Sequence, residues 1–238
     1  MENIAHGNGV SEQTLGPLRD TKLFTMFTSG DHIWDNGEAK HMLEDSDWLL
    51  LRPENYPSGS PGHGHKVVQV GTKRLLVINV MGRSFMTKAE LDSPFRAVSS
   101  VLDEYALPAD ENPEDKERVD AIFIDFHAET TSEKRAMAFL ADGRASALVC
   151  THTHVPTADA QVMPKGLGYL TDSGMVGPYP TVIGLEGEIA LERFLTQMPT
   201  GRKDTAHTGR VEIGAALMET NKDGICKTIQ GIREIVEE

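Results

Sequence analysis

The chain has 238 residues and a mass of 26.1 kDa, is 39% apolar and 25% charged, and so reads as one globular domain rather than a fibre or a disordered tail. With 23 basic against 36 acidic side chains it carries a net charge of −13, which argues against a nucleic-acid coat or an anionic membrane as main partner. A small phosphate ester stays open as a ligand, because bound cations reverse the local field.

The first stretch, Met1 to Gly16, has neither the basic region nor the apolar region of a signal peptide. No apolar run reaches the roughly 20 residues of a membrane-spanning helix. Two cysteines, Cys150 and Cys226, are too few for a disulfide framework or a four-cysteine zinc site, and a reducing, cytoplasmic setting is expected.

Short apolar runs that end abruptly at polar clusters predict buried strands. In chain order these are Leu23 to Phe27, Arg74 to Val80, Ala121 to Ile124, Ala147 to Cys150 and Gly168 to Leu170. Helices are predicted over 35–44, over 93–105, and from Thr130 to Asp142. The last opens on Thr130-Thr131-Ser132-Glu133, the pattern of a reciprocal helix cap. Its expected inner face is Ala136, Met137, Leu140 and Ala141. The segment 225–236 is either one strand or a strand entering a helix.

The Pro- and Gly-rich stretch 52–65 must be irregular. The acidic stretch 106–118 and the polar stretch 198–208 read as connections. Strands alternating with helices indicate an α/β layered domain. Trp34 and Trp48 are expected as packing anchors, Cys150 as core, and His6, His41 and His207 as surface residues.

Polar clusters at the strand exits carry the chemistry. Thr151-His152-Thr153-His154 places two imidazoles two residues apart, and in extended chain such residues face the same way. His127 follows another strand with Asp125 and Glu129 beside it, and Asp31-His32 follows a third. In α/β sheets ligands gather outside the carboxyl ends of strands. Imidazoles and carboxylates converging on one rim fit a divalent metal ion such as iron, manganese or zinc.

Gly30-Asp31-His32, Asp125-Phe126-His127-Ala128-Glu129 and Thr151-His152-Thr153-His154 resemble, in this order, the GNH, H and GHTH blocks of calcineurin-like metallophosphoesterases. The match is to the bacterial branch resembling 2′,3′-cyclic-nucleotide phosphodiesterases. That branch also has stretches like Arg52-Pro53-Glu54-Asn55-Tyr56-Pro57, Asn79-Val80-Met81-Gly82-Arg83 and Leu170-Thr171-Asp172-Ser173-Gly174.

The resemblance implies a sandwich of two mixed sheets flanked by helices, in a single domain over 1–238, with two divalent metals, iron or manganese first and zinc also admitted. By position, Glu2 matches the bridging carboxylate and Asn3 its neighbouring ligand. Asp31, His127 and His152 complete one metal's shell, and His154 serves the other. His32 matches the histidine that assists the leaving group. Arg83, Arg52 and Tyr56 are candidate substrate contacts. The expected activity is hydrolysis of small cyclic nucleotides by a metal-activated hydroxide. The alternatives are a phosphomonoesterase on the same site and a metal-binding regulatory protein with impaired catalysis. A homo-oligomer is expected, with no stable nucleic-acid or membrane partner.

Two departures from the family pattern stand out. The family has a βαβ unit ending in a ligand aspartate before its GEN block, whereas this sequence starts at Met1-Glu2-Asn3, so the fold is expected to be N-terminally incomplete. Asp31 replaces the usual asparagine and adds negative charge. One firmly bound metal and a weaker second are therefore expected.

Overall fold

The computed structural model describes residues 1–111, 115–199, 206 and 209–237. Its helices are α1 (Glu12–Asp20), α2 (Ala39–Glu44), α3 (Pro94–Glu104), α4 (Thr131–Ala141) and α5 (Gly187–Thr196), with a 3-10 turn at Ser46–Trp48. Its strands are β1 (His65–Val70), β2 (Lys73–Met81), β3 (Tyr105–Ala106), β4 (Glu117–Arg118), β5 (Ala121–His127), β6 (Ala147–Thr151), β7 (Gln161–Val162), β8 (Gly168–Leu170), β9 (Val176–Pro178), β10 (Arg210–Thr220) and β11 (Cys226–Glu237).

The main sheet is mixed, in the order β1-β2-β5-β6-β8-β7. Its four inner strands, β2, β5, β6 and β8, run parallel, and β1 and β7 flank them antiparallel. Inner parallel strands are covered on both faces, so their sequences are continuous apolar runs rather than alternations. The runs in β2 and β6 are of this kind. Register sets the functional rim: Met81 pairs with His127, and His127 with Thr151. Three strands thus stop at one level, and the residues after each stop share an edge.

Helices α3 and α4 cross between the parallel strands and pack against each other. α3 starts with Pro94 at its first turn, where a missing N–H costs nothing, and buries Val98, Val101 and Leu102 at helical spacing. These side chains join Ile78, Ile124, Phe126, Met137, Leu148 and Tyr169 in the main core. A second core surrounds Trp48, Met42, Leu15 and Phe27, with Trp34 and Ile4 against it. Both tryptophans are the packing anchors expected.

The smaller sheet, β11-β10-β9, is antiparallel throughout, where the sequence led to a second mixed sheet. Its hairpin turns at Asn221, whose side-chain oxygen accepts from the N–H groups of Asp223 and Ile225. The ambiguous segment 225–236 is strand. β11 lies against β7 and β8, which joins the two sheets.

Several local expectations are corrected. Leu23 to Phe27 is not a strand: only Phe27 forms a bridge, to Leu50, and Leu23 is exposed. The predicted helix 35–44 is reduced to α2. The connection 106–118 contributes to the β3–β4 pair, and its residues 112–114 fall outside the described part. Most of 198–208, including His207, also falls outside it.

α4 makes no side-chain cap at Thr130, whose hydroxyl is buried with no partner among the described residues. Glu133 instead accepts from the backbone N–H groups of Arg83 and Ser84. The inner face of α4 is Glu133, Lys134, Met137, Ala138 and Ala141, while Ala136 faces solvent.

Candidate metal centre

Four side chains meet at the rim. Single ligand atoms of Glu2, Asp31, His127 and His152 all lie within 4.8 Å of one another. His127 Nε2 is 3.0 Å from Asp31 Oδ1, 3.1 Å from Glu2 Oε2 and 3.0 Å from His152 Nδ1. His152 Nδ1 is 3.5 Å from Asp31 Oδ1. Metal–ligand bonds near 2.0–2.2 Å make polyhedron edges of about 3 Å, so these separations suit one small cation.

Each arm has its own support. His127 ends β5, and its Nδ1 lies 3.0 Å from the Thr151 hydroxyl, which donates to Asp125 at 2.9 Å. That chain keeps the proton on Nδ1 and leaves Nε2 facing the cluster. His152 Nε2 lies 3.0 Å from Glu129, which similarly turns Nδ1 inward. Asp31 follows Ser29, whose backbone N–H and carbonyl are both held by the buried Asn79 amide on β2. Gly30 is required here: a Cβ would collide with Glu2 Oε2 and His127 Nε2. Glu2 is held by its segment, where Gly7 N–H donates to the Asn3 carbonyl and Ile4 packs on the second core.

The two histidines of the Thr-His-Thr-His block are not placed by strand alternation. β6 ends at Thr151, and His152 and His154 both have positive φ, 100° and 64°. Such backbone is uncommon for non-glycine residues and costs about 1–3 kcal/mol each where the surroundings enforce it.

His154 stands beside the four rather than among them. Its Nε2 is 3.3 Å from Asn3 Nδ2. Asn3 Oδ1 and His154 Nδ1 are both buried with no hydrogen-bond partner among the described residues. Buried polar atoms without partners are rare and call for an occupant. An amide oxygen and an imidazole nitrogen are both metal donors, so the residues present fit a second cation next to the first.

The electrostatics agree. Burial works against charge on His127, yet the carboxylates of Asp31 and Glu2 outweigh it and hold the imidazole up at about 9. Burial raises Asp31 and Glu2, but the neighbouring histidines pull both below the usual carboxylate range. The pocket is built to hold positive charge.

His32 sits next to Asp31, with Nδ1 2.6 Å from Asp35 Oδ2 and Nε2 3.8 Å from Asp31 Oδ2. Lys88 donates to Asp35 at 2.9 Å and also touches His32. Burial raises the Asp35 carboxyl, but hydrogen bonds from Lys88 and His32 bring it down overall.

Arg83, two residues past β2, is exposed on the same rim. Tyr56 packs edge-on against Trp34, and burial, aided by Asp31, raises its hydroxyl. Arg52 is held elsewhere: it is 9% exposed, and its guanidinium donates to the carbonyls of Pro53, Glu54 and Pro61. It fastens the irregular loop, with Nε and Nη1 engaged there. His63 and His65 line a separate cleft of about 430 Å³ beside Tyr105. Sequence reasoning did not assign Thr151, Asn79 or Asp172. The nearest signal was the i, i+2 placement of Asp125 and His127 on one strand face.

The model of YmdB-like proteins matches residues 1–232. The chain belongs to the YmdB-like family. A 2′,3′-cyclic-nucleotide 2′-phosphodiesterase of Bacillus subtilis (strain 168) is 40% identical over 218 residues, spanning 92% of this chain and 76% of that protein. The crystal structure of a hypothetical protein from Thermus thermophilus superposes with a TM-score of 0.85 at 39% identity, covering all of this chain and 86% of the other. That of a novel phosphatase from Mycoplasma pneumoniae gives 0.83 at 26% identity, covering all of this chain and 81% of the other. The resemblance to calcineurin-like metallophosphoesterases drawn from the motifs is borne out, as is the α/β architecture of sheets with flanking helices. Of these relatives of the YmdB-like chain, the Bacillus protein is named a phosphodiesterase and the Mycoplasma protein a phosphatase.

Proposed function

We propose that the chain is a metal-dependent phosphodiesterase that hydrolyses small cyclic nucleotides of the 2′,3′-cyclic type within one domain. The observation that carries this reading is the closed cluster of Glu2, Asp31, His127 and His152 with the unpartnered donors of Asn3 and His154 beside it. Glu2, Asp31, His127 and His152 would hold one cation, and Glu2, Asn3 and His154 a second. Divalent ions at such a site, iron or manganese before zinc as the resemblance implies, would supply an activated water and neutralise phosphoryl oxygens.

The protein's own groups do the rest. His32, oriented by Asp35, gives a proton to the departing alkoxide oxygen. Arg83 offers a planar fork to the phosphate, and Tyr56 is a candidate lining residue of the substrate pocket. The donor count supports unequal affinities: four protein side chains serve one cation, while the other has three, one of them shared.

Two further parts of the reading concern context. Buried, unpaired Cys150 and Cys226 support a cytoplasmic, reducing setting. The apolar outer face of α5, with Leu191, Phe194 and Leu195 exposed, supports self-association. No helix among the described residues is long and apolar enough to cross a membrane.

The test is hydrolysis of 2′,3′-cyclic AMP and of a phosphomonoester with added Mn²⁺, together with metal analysis. Diester turnover that disappears in His152→Ala is expected, with one full equivalent of metal and a partial second. Turnover unchanged in His152→Ala, or selective for the monoester, overturns the reading.

A further inference from the structure

α4 leaves the rim immediately after His127, and the first turn of this helix buries two adjacent charged residues, Glu133 and Lys134. They reach opposite walls of the site. The Glu133 carboxylate accepts from Arg83 N–H at 3.0 Å and from Ser84 N–H at 3.2 Å. It clasps the turn that presents the Arg83 guanidinium. Gly82 allows the approach, since a Cβ there would sit 2.6 Å from the Ala128 Cβ and 2.7 Å from Glu133 Oε2.

Lys134 is fully buried and donates to Asp172 at 2.7 Å, itself 1% exposed. The same Asp172 oxygen accepts from the backbone N–H of Thr153 at 3.1 Å and from its hydroxyl at 2.8 Å. The other Asp172 oxygen accepts from Gly174 N–H at 2.9 Å. Thr153 is the residue between His152 and His154, whose positive φ values need something to enforce them. Lys134 and Asp172 supply that hold.

A buried ion pair is weak evidence for stability, because an apolar pair of similar volume commonly serves as well. What an apolar pair lacks is the acceptor that grips Thr153. We infer that the first turn of α4 is a positioning element with two separable outputs: Glu133 sets the phosphate-contact turn at Arg83, and Lys134, through Asp172 and Thr153, sets the His152–His154 turn. The inference rests on the metal-site reading above. Glu133 and Lys134 touch neither metal nor substrate and act through the residues they hold.

The test uses the full chain and two probes besides turnover, Mn²⁺ alone and inorganic phosphate on the Mn²⁺-loaded protein, both by calorimetry. Glu133→Gln keeps one acceptor oxygen and puts an amide against a second N–H. It is expected to weaken phosphate about tenfold and raise KM with kcat and Mn²⁺ affinity nearly unchanged. Thr153→Val removes one grip without unpairing Lys134. It is expected to weaken Mn²⁺ by about 10–100-fold, with KM at saturating metal unchanged. Thr153→Ser, which restores the hydroxyl, returns the affinity.

Both variants shifting both probes in parallel, or neither shifting either, overturns the inference in favour of a purely structural role. Thr153→Ser behaving as Thr153→Val does the same. Wild-type protein that binds Mn²⁺ and phosphate yet hydrolyses no diester sinks the proposed function and leaves this inference standing. Wild-type protein that binds no Mn²⁺ ends both.

Discussion

Thr151→Val isolates the support of one proposed metal ligand, His127. The hydroxyl of Thr151 is flanked by His127 Nδ1 at 3.0 Å and Asp125 Oδ1 at 2.9 Å, and those residues are 3% and 7% exposed. Valine has the same shape and offers neither bond. The buried imidazole N–H is left without its partner and the Asp125 carboxylate loses one of its donors, at a cost of about 1–3 kcal/mol. In a domain of this size about 2 kcal/mol lowers Tm by roughly 4–8 °C. Burial already raises the Asp125 carboxyl, and loss of the donor raises it further. The imidazole also loses its fixed tautomer, and partners of this kind are worth about 10–100-fold in metal affinity. Calorimetric titration with Mn²⁺ and a thermal melt of the metal-free protein read the two effects separately. Wild-type affinity together with a wild-type melt would refute the relay from Asp125 through Thr151 to His127.

Gly30→Ala is expected to abolish metal binding while circular dichroism stays native, because the added methyl enters the space between Glu2 and His127; retained Mn²⁺ binding would count against the cluster. His65 is raised by its hydrogen bond to Glu54, which outweighs burial. The folded state therefore holds that proton more tightly, so the pair stabilises fully below the unfolded value of about 6.5 and its contribution fades as pH climbs through the raised folded value. Urea melts of wild type and His65→Gln should differ most below about pH 6 and converge as pH climbs through the raised folded value; a gap that widens with pH reverses the assignment. Phe126→Ala, at a fully buried position between the rim residues Asp125 and His127, should cost about 3–5 kcal/mol in urea melts, and less than about 1 kcal/mol would mean a loose core.

The rim was legible because parallel strands announce themselves: β2, β5, β6 and β8 are built on short, largely buried apolar runs, and polar residues after those runs fall at or near the sheet edge. That logic reached His127 and His152; Asp31 was reached from the apolar run Leu23 to Phe27, which is not a strand, and the resemblance added Glu2. It failed where apolar content and pairing part company. Leu23 and Phe24 are as apolar as strand residues but have no partner strand beside them. α5 turns Leu191, Phe194 and Leu195 outward, so its sequence shows no single inward stripe. Glu133 was misassigned because a glutamate three residues after a threonine looks the same whether it caps its helix or reaches a loop 50 residues away. The turn at His152 and His154 was read as extended, since residue type alone does not report the sign of φ.

The four clustered side chains lie at positions 2, 31, 127 and 152, so no short piece of the chain contains them all. An ion held by them, as proposed, would tie the amino-terminal segment to the middle of the sheet and would have nothing comparable to bind once the chain opens. Such an ion acts as a latch whose strength follows its free concentration. Starvation for that ion would therefore shorten the protein's lifetime against proteases as well as slow its chemistry.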